Sequence, residues 1–366
     1  MPSFFNRFKY FDISLLAATL LLSFAGLAIL YGTTLSAATT NIFSRQLIFF
    51  GIGLDAFFFI SFFDYHSLTK LNRVIYVIFI LLLFYLAFFG VIIRGGRRWL
   101  DLGVGRFQPA EFVKLVVILG LARLLYLARG QINSWKIITW SFLYVLLPAA
   151  LVIIEPDLGS AIIILSLWVG IILLSPIKKK FLVILFIIFV AFGGISWKFY
   201  LKDFQKDRIL VFLNPTLDLK GRGYNVRQAT IAVGSGQLFG RGLGKGVQSQ
   251  HKFLPERQTD FIFAAAGEEI GFLGTFSLLG LYFFLLWRIQ KIIWKAKDDL
   301  GMYIAGGVLF FFFFHILINI GMNIGILPVT GIPLPFVSAG GSSLIACFIA
   351  LGLVQNVARQ SKILRF

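Results

Sequence analysis

Long apolar segments alternate with short polar connections along most of the chain. A helix needs about 20 apolar residues to cross the hydrocarbon core of a bilayer. Segments of roughly this length cover residues 13–31, 46–63, 74–93, 109–127, 137–154, 158–176, 181–200, 261–287, 302–327 and 337–357. The pattern therefore predicts an all-α, polytopic integral membrane protein of about ten transmembrane helices, with residues 1–366 forming a single transmembrane domain.

The composition supports the same class of protein. Hydrophobic residues make up 58% of the chain and charged residues 14%, whereas soluble domains are about 45–50% apolar and about 25% charged. These values exclude a soluble globular enzyme, a disordered chain and a coiled coil, and a single cysteine, Cys347, cannot form an internal disulfide. The histidines His66, His251 and His315 are scattered, so no Cys/His cluster has metal-ligand spacing and no metal site is predicted.

Charge sets the expected orientation. The net charge of +18 could indicate nucleic-acid binding, but in a membrane protein it is typical of basic cytoplasmic loops, so we expect no nucleic-acid partner. An even number of spans puts both termini on one side, and that side also holds most of the lysines and arginines of the short loops. We therefore expect cytoplasmic termini and a large extracytoplasmic loop, residues 201–259, between helices 7 and 8.

The end of this loop carries the sharpest chemical candidate. Residues 234–246 are rich in glycine and form either a flexible linker or backbone that approaches a substrate closely. They are not a P-loop, since Lys245 precedes Gly246 instead of Ser or Thr. Asp260 stands where the chain re-enters the membrane. It is either a carboxylate favoured by the helix dipole or a general base at the water–lipid boundary.

Other charged residues on the same side suggest an anionic ligand. Four arginines occupy one outer loop, against the usual charge bias, and guanidinium groups bind phosphate bidentately. Headgroup contact or pairing with Asp101 is the alternative. These arginines are Arg94, Arg97, Arg98 and Arg106.

Several ionisable residues fall inside predicted spans, where such groups are costly and usually face a cavity or each other. Glu111 and Lys114, three apart on one helix face, form either a packing ion pair or part of a polar site that places charge near Asp260. Glu268 and Glu269 lie about 12 Å below Asp260 along a helix and would suit a proton path. We expect Asp55 to be protonated or hydrogen-bonded inside the bundle.

Two further motifs lie at the same boundary. Glu155 and Asp157 flank a proline in a very short turn, and Asp157 is well placed as a helix N-cap. Residues 327–343 contain three prolines, glycines and hydroxyls, a composition that predicts irregular backbone satisfied by protein or a cavity.

Taken together, these motifs resemble the SEDS family (shape, elongation, division and sporulation), the RodA/FtsW polytopic proteins of bacterial cell-wall synthesis. The resemblance covers nearly the whole chain. The matching motifs are Arg97-Arg98-Trp99-Leu100-Asp101-Leu102-Gly103, Phe107-Gln108-Pro109-Ala110-Glu111-Phe112-Val113-Lys114, Glu155-Pro156-Asp157-Leu158-Gly159, Gly221-Arg222-Gly223-Tyr224-Asn225 with Gln228-Ala229, Leu254-Pro255-Glu256 with Thr259-Asp260-Phe261, and Leu327-Pro328-Val329-Thr330-Gly331-Ile332-Pro333-Leu334-Pro335-Phe336. Gln258 departs from the family, which commonly has histidine there.

The resemblance implies a peptidoglycan glycosyltransferase that polymerises lipid II, a polyprenyl-diphosphate-linked disaccharide, in the bacterial inner membrane. It implies that Asp260 is required for activity. Our mechanistic hypothesis takes Asp260 as the base and Lys114 with Glu111 as the charge frame that orients it, so these three are the expected catalytic residues. We expect the substrate to contact Arg94, Arg97, Arg98, Arg106, Gln108, Arg222, Arg241, Lys245, Glu256, Arg257 and Thr259. A divalent cation, Mg²⁺ or Mn²⁺, would help to hold the diphosphate, although no carboxylate cage for it is evident.

The resemblance also implies partners, namely a class B penicillin-binding protein that supplies the transpeptidase and other membrane proteins of the elongation complex. Short tails favour a RodA-like role in elongation over an FtsW-like role in division. The rival class is a lipid II flippase or transporter, in which Lys114, Glu268 and Glu269 would line a path. A non-catalytic scaffold for a partner synthase is the third interpretation.

Overall fold

A computed structural model describes residues 10–35, 40–93, 96–101, 106–184, 187, 212, 222–251 and 253–363. Its helices are α1 (Ile13–Thr34), α2 (Thr40–Phe62), α3 (Tyr65–Phe89), α4 (Pro109–Leu127), α5 (Trp135–Ile154), α6 (Leu158–Leu174), α7 (Arg222–Ser235), α8 (Val247–Gln250), α9 (Ile262–Trp294), α10 (Asp299–Asn323) and α11 (Gly341–Ile363). The strands are β1 (Val91–Ile93), β2 (Gly96–Asp101) and β3 (Arg106–Phe107). Helices dominate the fold, so the predicted helical membrane class is confirmed.

The long helices coincide with the apolar segments. In the described part of the chain, 7 helices are long and apolar enough to cross a membrane, namely α1, α2, α3, α5, α9, α10 and α11. Two more predicted spans are the shorter α6 and the charged α4. Residues 181–184 are helical, whereas the rest of the predicted seventh span, 185–200, and most of 201–221 lie outside the described residues.

The helices differ in how deeply they are packed. In α11, 78% of the most apolar window is buried, against 17% in α2, so α11 is central and α2 peripheral. Asp55 lies on the exposed side of α2. The expectation that it points into the bundle is therefore wrong, because the α2 surface at that position has no neighbouring helix in the described structure.

The bundle has two polar ends, which we name after one residue each. The Asp260 end includes the starts of α4, α6, α9 and α11 and the ends of α1, α3 and α10. The Asp298 end includes the starts of α1, α3 and α10, capped by Asp12, Asp64 and Asp298. Each of these aspartates accepts a backbone N–H of its own first turn, which fixes where the apolar helix begins.

A small antiparallel sheet, which the hydrophobic pattern did not predict, covers the Asp260 end. Strand order is β1-β2-β3, with Val91 opposite Trp99 and Leu100 opposite Phe107. Its strands are short and rich in arginine, so they carry no clear alternation of apolar and polar residues. The sheet continues directly from α3, and Arg97 donates to the Phe88 carbonyl at the end of that helix, 3.0 Å away.

Two departures from regular helix occur at the Asp260 end. Helix α9 is broken at Gly271, whose φ of 68° and ψ of −169° are not helical. Helix α11 begins at Gly341, four residues later than the apolar pattern suggested. The preceding segment is irregular, with positive φ at Gly331 (77°) and Phe336 (65°), which confirms the predicted irregular backbone.

Candidate functional site

The main chain around Asp260 is held from three sides. The Asp260 carbonyl accepts hydrogen bonds from Asn319 Nδ2 (3.1 Å) and Asn323 Nδ2 (3.0 Å), both on α10. Asn323 Oδ1 in turn accepts from the Ala264 amide at 3.0 Å, at the start of α9. Both asparagines are fully buried. Because buried polar groups hold position only when their partners are satisfied, this network fixes the backbone under the carboxylate.

The irregular segment before α11 supplies the third side. Ser338 Oγ donates to the Thr259 carbonyl at 2.6 Å, and the Ala339 amide donates to the Gln258 carbonyl at 2.7 Å. Gln46 of α2 donates to the Ser338 carbonyl at 3.2 Å. The carbonyls of residues 258, 259 and 260 are thus all occupied by groups from distant parts of the sequence.

Asp260 is partly exposed, and its carboxyl group lies beside Gly331. A methyl group built at Gly331 would lie 3.4 Å from Asp260 Oδ2. Gly331 also needs a positive φ, which L-residues with side chains rarely adopt. Glycine at this position therefore provides both the turn and the space beside the carboxylate.

Lys114 and Glu111 form a buried ion pair with a third member. Lys114 Nζ lies 2.6 Å from Glu111 Oε1 and 3.1 Å from His315 Nε2. His315 Nδ1 lies 2.7 Å from the Phe311 carbonyl, which can only accept, so Nδ1 carries the proton and Nε2 accepts from the ammonium. All three side chains are at most 1% exposed. His315 was not selected from the sequence as part of this group.

One face of α10 connects this buried group with Asp260. His315, Asn319 and Asn323 follow one another at intervals of four residues, which places them on a single helix face. His315 lies about one helical turn, roughly 6 Å along the axis, from Asn319. This polar stripe could have been found from the sequence, since three polar residues at helical spacing in an apolar span are unusual.

A second cluster joins the sheet to the turn between α5 and α6. Arg98 donates to the carbonyls of Glu155 and Pro156, and Gln108 Nε2 donates to Asp157 Oδ2 at 3.2 Å. Asp157 also accepts from the Ser160 amide at 3.1 Å, which confirms its predicted N-cap role. Burial raises the pKa of Glu155 to about 8, with the Asp157 charge adding to the effect and the Arg98 charge opposing it.

The remaining predicted ligand-binding arginines are placed differently. Arg97 donates to carbonyls at the end of α3, whereas Arg106 on β3 is exposed. Arg94 lies outside the described residues. Arg222 begins α7, and its side chain also lies outside them.

The glycine-rich residues 234–246, which we call the glycine segment, are packed into the break of α9. The amides of Arg241 and Gly242 donate to the carbonyls of Glu268 and Glu269, both at 2.9 Å, and the Phe272 amide donates to the Gln237 carbonyl at 2.8 Å. A side chain at Gly240 would collide with the Glu269 backbone. This segment therefore approaches backbone of the same chain and is not a free linker.

Glu268 and Glu269 anchor this segment. Glu268 accepts from the amides of Gln248 (2.8 Å) and Ser249 (2.9 Å), and Glu269 accepts from the Gly244 amide at 3.3 Å. Both carboxyl groups are at most 1% exposed. Their contacts match a structural anchor better than a line of proton carriers.

The last predicted contacts lie between α8 and Asp260. Arg257 is buried, donates to the Thr33 carbonyl at 3.2 Å, and has its pKa lowered by burial against the opposing effect of Glu269. Glu256 is exposed and accepts from Thr259 Oγ1 at 3.0 Å. Arg241 and Lys245 are exposed on the glycine segment.

Among the described residues, no three His, Cys, Asp or Glu side chains come together as a metal-binding group. The Mg²⁺ or Mn²⁺ expected from the diphosphate stays a prediction.

Comparisons with known proteins define the family. The family model described as cell cycle protein FtsW/RodA/SpoVE matches residues 10–363. The chain is 40% identical over 291 residues to "Peptidoglycan glycosyltransferase MrdB" of Escherichia coli strain K12, covering 79% of this chain and 78% of the relative. It is 37% identical to "Stage V sporulation protein E" of Bacillus subtilis strain 168, covering 96% of this chain and 98% of the relative. The chain therefore belongs to the FtsW/RodA/SpoVE family.

Solved structures agree with this assignment. One has a TM-score of 0.82 and 29% identity over 96% of this chain and 98% of the other, and it comes from work on the "structural coordination of polymerization and crosslinking by a peptidoglycan synthase complex". The crystal structure of the rod shape determining protein RodA of Thermus thermophilus has a TM-score of 0.70 and 27% identity, covering 96% of this chain and 97% of the other.

Proposed function

We propose that this chain is a peptidoglycan glycosyltransferase that polymerises lipid II, with Asp260 as the general base. Family membership supports the enzyme class, since relatives carry that name. The observation that carries the assignment of the base is that Asp260 is partly exposed at this end of the bundle while its main chain is held by hydrogen bonds. A base must be held within reach of one proton, and the occupied carbonyls of residues 258–260 provide that rigidity.

The reaction is a single displacement with inversion. The 4-hydroxyl of an acceptor sugar attacks the anomeric carbon of the donor, and a new glycosidic bond forms as the bond to the lipid diphosphate breaks. The diphosphate leaves with the electron pair, and Asp260 takes the hydroxyl proton. One carboxylate is enough for this chemistry, because no covalent enzyme intermediate is required.

Lys114 and Glu111 act as a charge frame in this proposal. Their ion pair and His315 lie one turn below Asn319, which holds the Asp260 carbonyl. The Lys114 charge is balanced by Glu111, so this pair would favour the ionised base and the departing diphosphate through its orientation and not through a net charge. Arg106, exposed on β3, would supply charge from the side.

Location and partners follow from the family. We place the chain in the bacterial inner membrane with both termini cytoplasmic and the Asp260 end outside, as the charge distribution of the loops predicts. A class B penicillin-binding protein is the expected partner, and one matched structure comes from a complex of polymerisation with crosslinking. We assign the elongation branch, with MrdB and RodA among the relatives, while FtsW relatives make division the alternative.

The test reconstitutes the chain with its cognate penicillin-binding protein in vesicles that contain labelled lipid II. Glycan formation and transfer of lipid II between leaflets are measured in the same preparation, with vesicles that contain the partner alone as the control. Glycan strands without leaflet transfer support the enzyme. Leaflet transfer without glycan supports the flippase, and neither activity, with the complex intact, supports the scaffold.

A further inference from the structure

The glycine segment places two cations at one level of the bundle. Its backbone pairs with Glu268, Glu269, Phe272 and Leu273, on both sides of the α9 break. Arg241 and Lys245 project from this paired backbone and are exposed. The Arg241 Nε donates to the Ser235 carbonyl at 3.3 Å. No carboxylate within the described ranges forms an ion pair with either side chain.

This level is the outer edge of the apolar belt. On α9 a continuous series of exposed large apolar residues runs from Phe272 to Trp287, and basic residues follow from Arg288, with Trp294 exposed among them. Sixteen residues from 272 to 287 span about 24 Å, close to the hydrocarbon thickness. The end of α1 lies at the same level as the glycine segment. The Gly32 carbonyl accepts a hydrogen bond from Gln250 Nε2 at 2.9 Å, and Leu35 contacts Gly244.

The exposed surface combines charge with apolar side chains. Phe239 is 79% exposed and Leu238 58%, beside Arg241 on the same segment. On the adjoining turn of α9, Phe272 is 58% and Phe276 63% exposed. Cations at phosphate depth over an apolar surface match the chemistry of a lipid-linked phosphate, in which guanidinium binds the oxygens and the tail lies on apolar side chains.

We propose that Arg241 and Lys245 hold the diphosphate of the acceptor lipid II, with its polyprenyl chain on Phe239 and Phe272. This inference rests on the proposed function. Asp260 precedes Glu268 by eight residues, about 12 Å at the helical rise. The Arg241 amide pairs with the Glu268 carbonyl, and the Gly244 amide, next to Lys245, pairs with the Glu269 carboxylate. The acceptor hydroxyl and its own diphosphate lie at opposite ends of a disaccharide, so this separation suits the acceptor.

The donor lipid II, in contrast to the acceptor, requires its diphosphate close to Asp260. Its diphosphate is bonded to the very carbon that the acceptor hydroxyl attacks. It must therefore sit beside Asp260 during the reaction, within reach of charge from the Lys114 side or from Arg106. The backbone that carries Arg241 and Lys245 is paired about two helical turns from Asp260, so we assign these cations to the diphosphate that is remote from the reacting carbon.

The experiment uses two lipid II analogues with the wild-type complex. One has a blocked 4-hydroxyl and can only donate, whereas the other has a phosphonate in place of the reactive phosphate ester and can only accept. Together they give a single tetrasaccharide product, so KM is measured for each substrate separately. The variant is Arg241→Gln with Lys245→Gln, and the control is Lys295→Gln with Lys297→Gln at the opposite end of the bundle.

We expect the variant to raise the acceptor KM about tenfold, as the loss of charge-assisted hydrogen bonds implies, with the donor KM and kcat unchanged. Arg241→Lys in the Lys245-containing chain should retain most of the affinity. A rise in the donor KM alone, or no change in either, overturns the proposal. An equal change in both that follows the anionic lipid content of the vesicle indicates ordinary headgroups as the ligand and also overturns it. Failure of the proposed function is distinct, since wild type itself would then give no tetrasaccharide.

Discussion

The two polar ends of the bundle use charge in different ways. At the Asp298 end, ion pairs join neighbouring helices near solvent, as between Arg129 and Asp299, whose side chains are 56% and 40% exposed. At the Asp260 end, charged and amide side chains are buried and bind backbone, as Glu268 and Asn319 do. Burial makes each such group expensive to leave unpaired, so the Asp260 end is the rigid one, as a catalytic site requires.

The largest expected effect comes from breaking the buried pair. Lys114→Met leaves the Glu111 carboxylate without its cation, and removing one partner of a buried pair costs about 3–5 kcal/mol. We expect a strong loss of thermal stability in detergent and loss of polymerisation. Adding Glu111→Leu should restore stability without restoring activity, measured by unfolding and glycan synthesis in the same preparations. An active double variant would show that the charge frame is unnecessary.

The second effect is expected at Glu268 and tests whether this residue anchors the segment that leads to Asp260. Glu268→Ala leaves the buried amides of Gln248 and Ser249 unpaired, at a cost of about 1–3 kcal/mol, and should loosen the segment that leads to Asp260. Limited proteolysis should then cut within residues 234–260 faster than in wild type. Asp64→Ala, at the start of α3, is the matched control with an exposed cap. Equal cutting in the two variants would contradict the anchoring role.

Glu155, at the Asp260 end, should make the folding stability of the protein depend on pH. Its pKa is raised to about 8 from an ordinary 4.5, so between these values the folded protein keeps a proton that the unfolded chain has lost. Folding stability from this group is therefore greatest at low pH and declines as the pH rises toward 8. Glu155→Gln should flatten the fall in Tm between pH 5 and 8, by an effect of up to about 4 kcal/mol at about 1.4 kcal/mol per pKa unit. An unchanged slope would show that Glu155 titrates normally.

The smallest effect is expected at the Asp298 end. Arg129→Gln removes an exposed pair, and exposed pairs contribute little because water and salt screen them. The Tm and the rate of glycan synthesis should both match wild type, at low and at high salt. A clear loss of activity would mean that this end, too, contributes to the reaction.

The comparison also shows what the sequence could predict. Nine of the ten apolar segments coincide with helices within the described ranges, because hydrophobic length is a local property. The N-cap role of Asp157 could also be predicted, because it involves only a residue three positions away. The break at Gly271 and the docking of the glycine segment were not predicted, because they depend on pairing between residues about 30 positions apart.

Site residues show the same division. Glu111 and Lys114 could be paired by their spacing, whereas His315 joins them from 201 residues away. Arg257 was expected to contact the substrate, yet the fold buries it, and it donates to the Thr33 carbonyl. The residue types indicated which parts of the chain carry polar groups. Packing determined which of these side chains are buried and which stay exposed.

The central claim is that Asp260 removes the acceptor proton. The most direct measurement compares Asp260→Asn with wild type for both lipid II binding and the rate of glycan synthesis, in complex with the penicillin-binding protein. The account predicts an unchanged dissociation constant and a rate about 10²–10⁴-fold lower, the range for loss of a general base, while Asp64→Asn behaves as wild type. An unchanged rate, or a loss explained entirely by weaker binding, would contradict it.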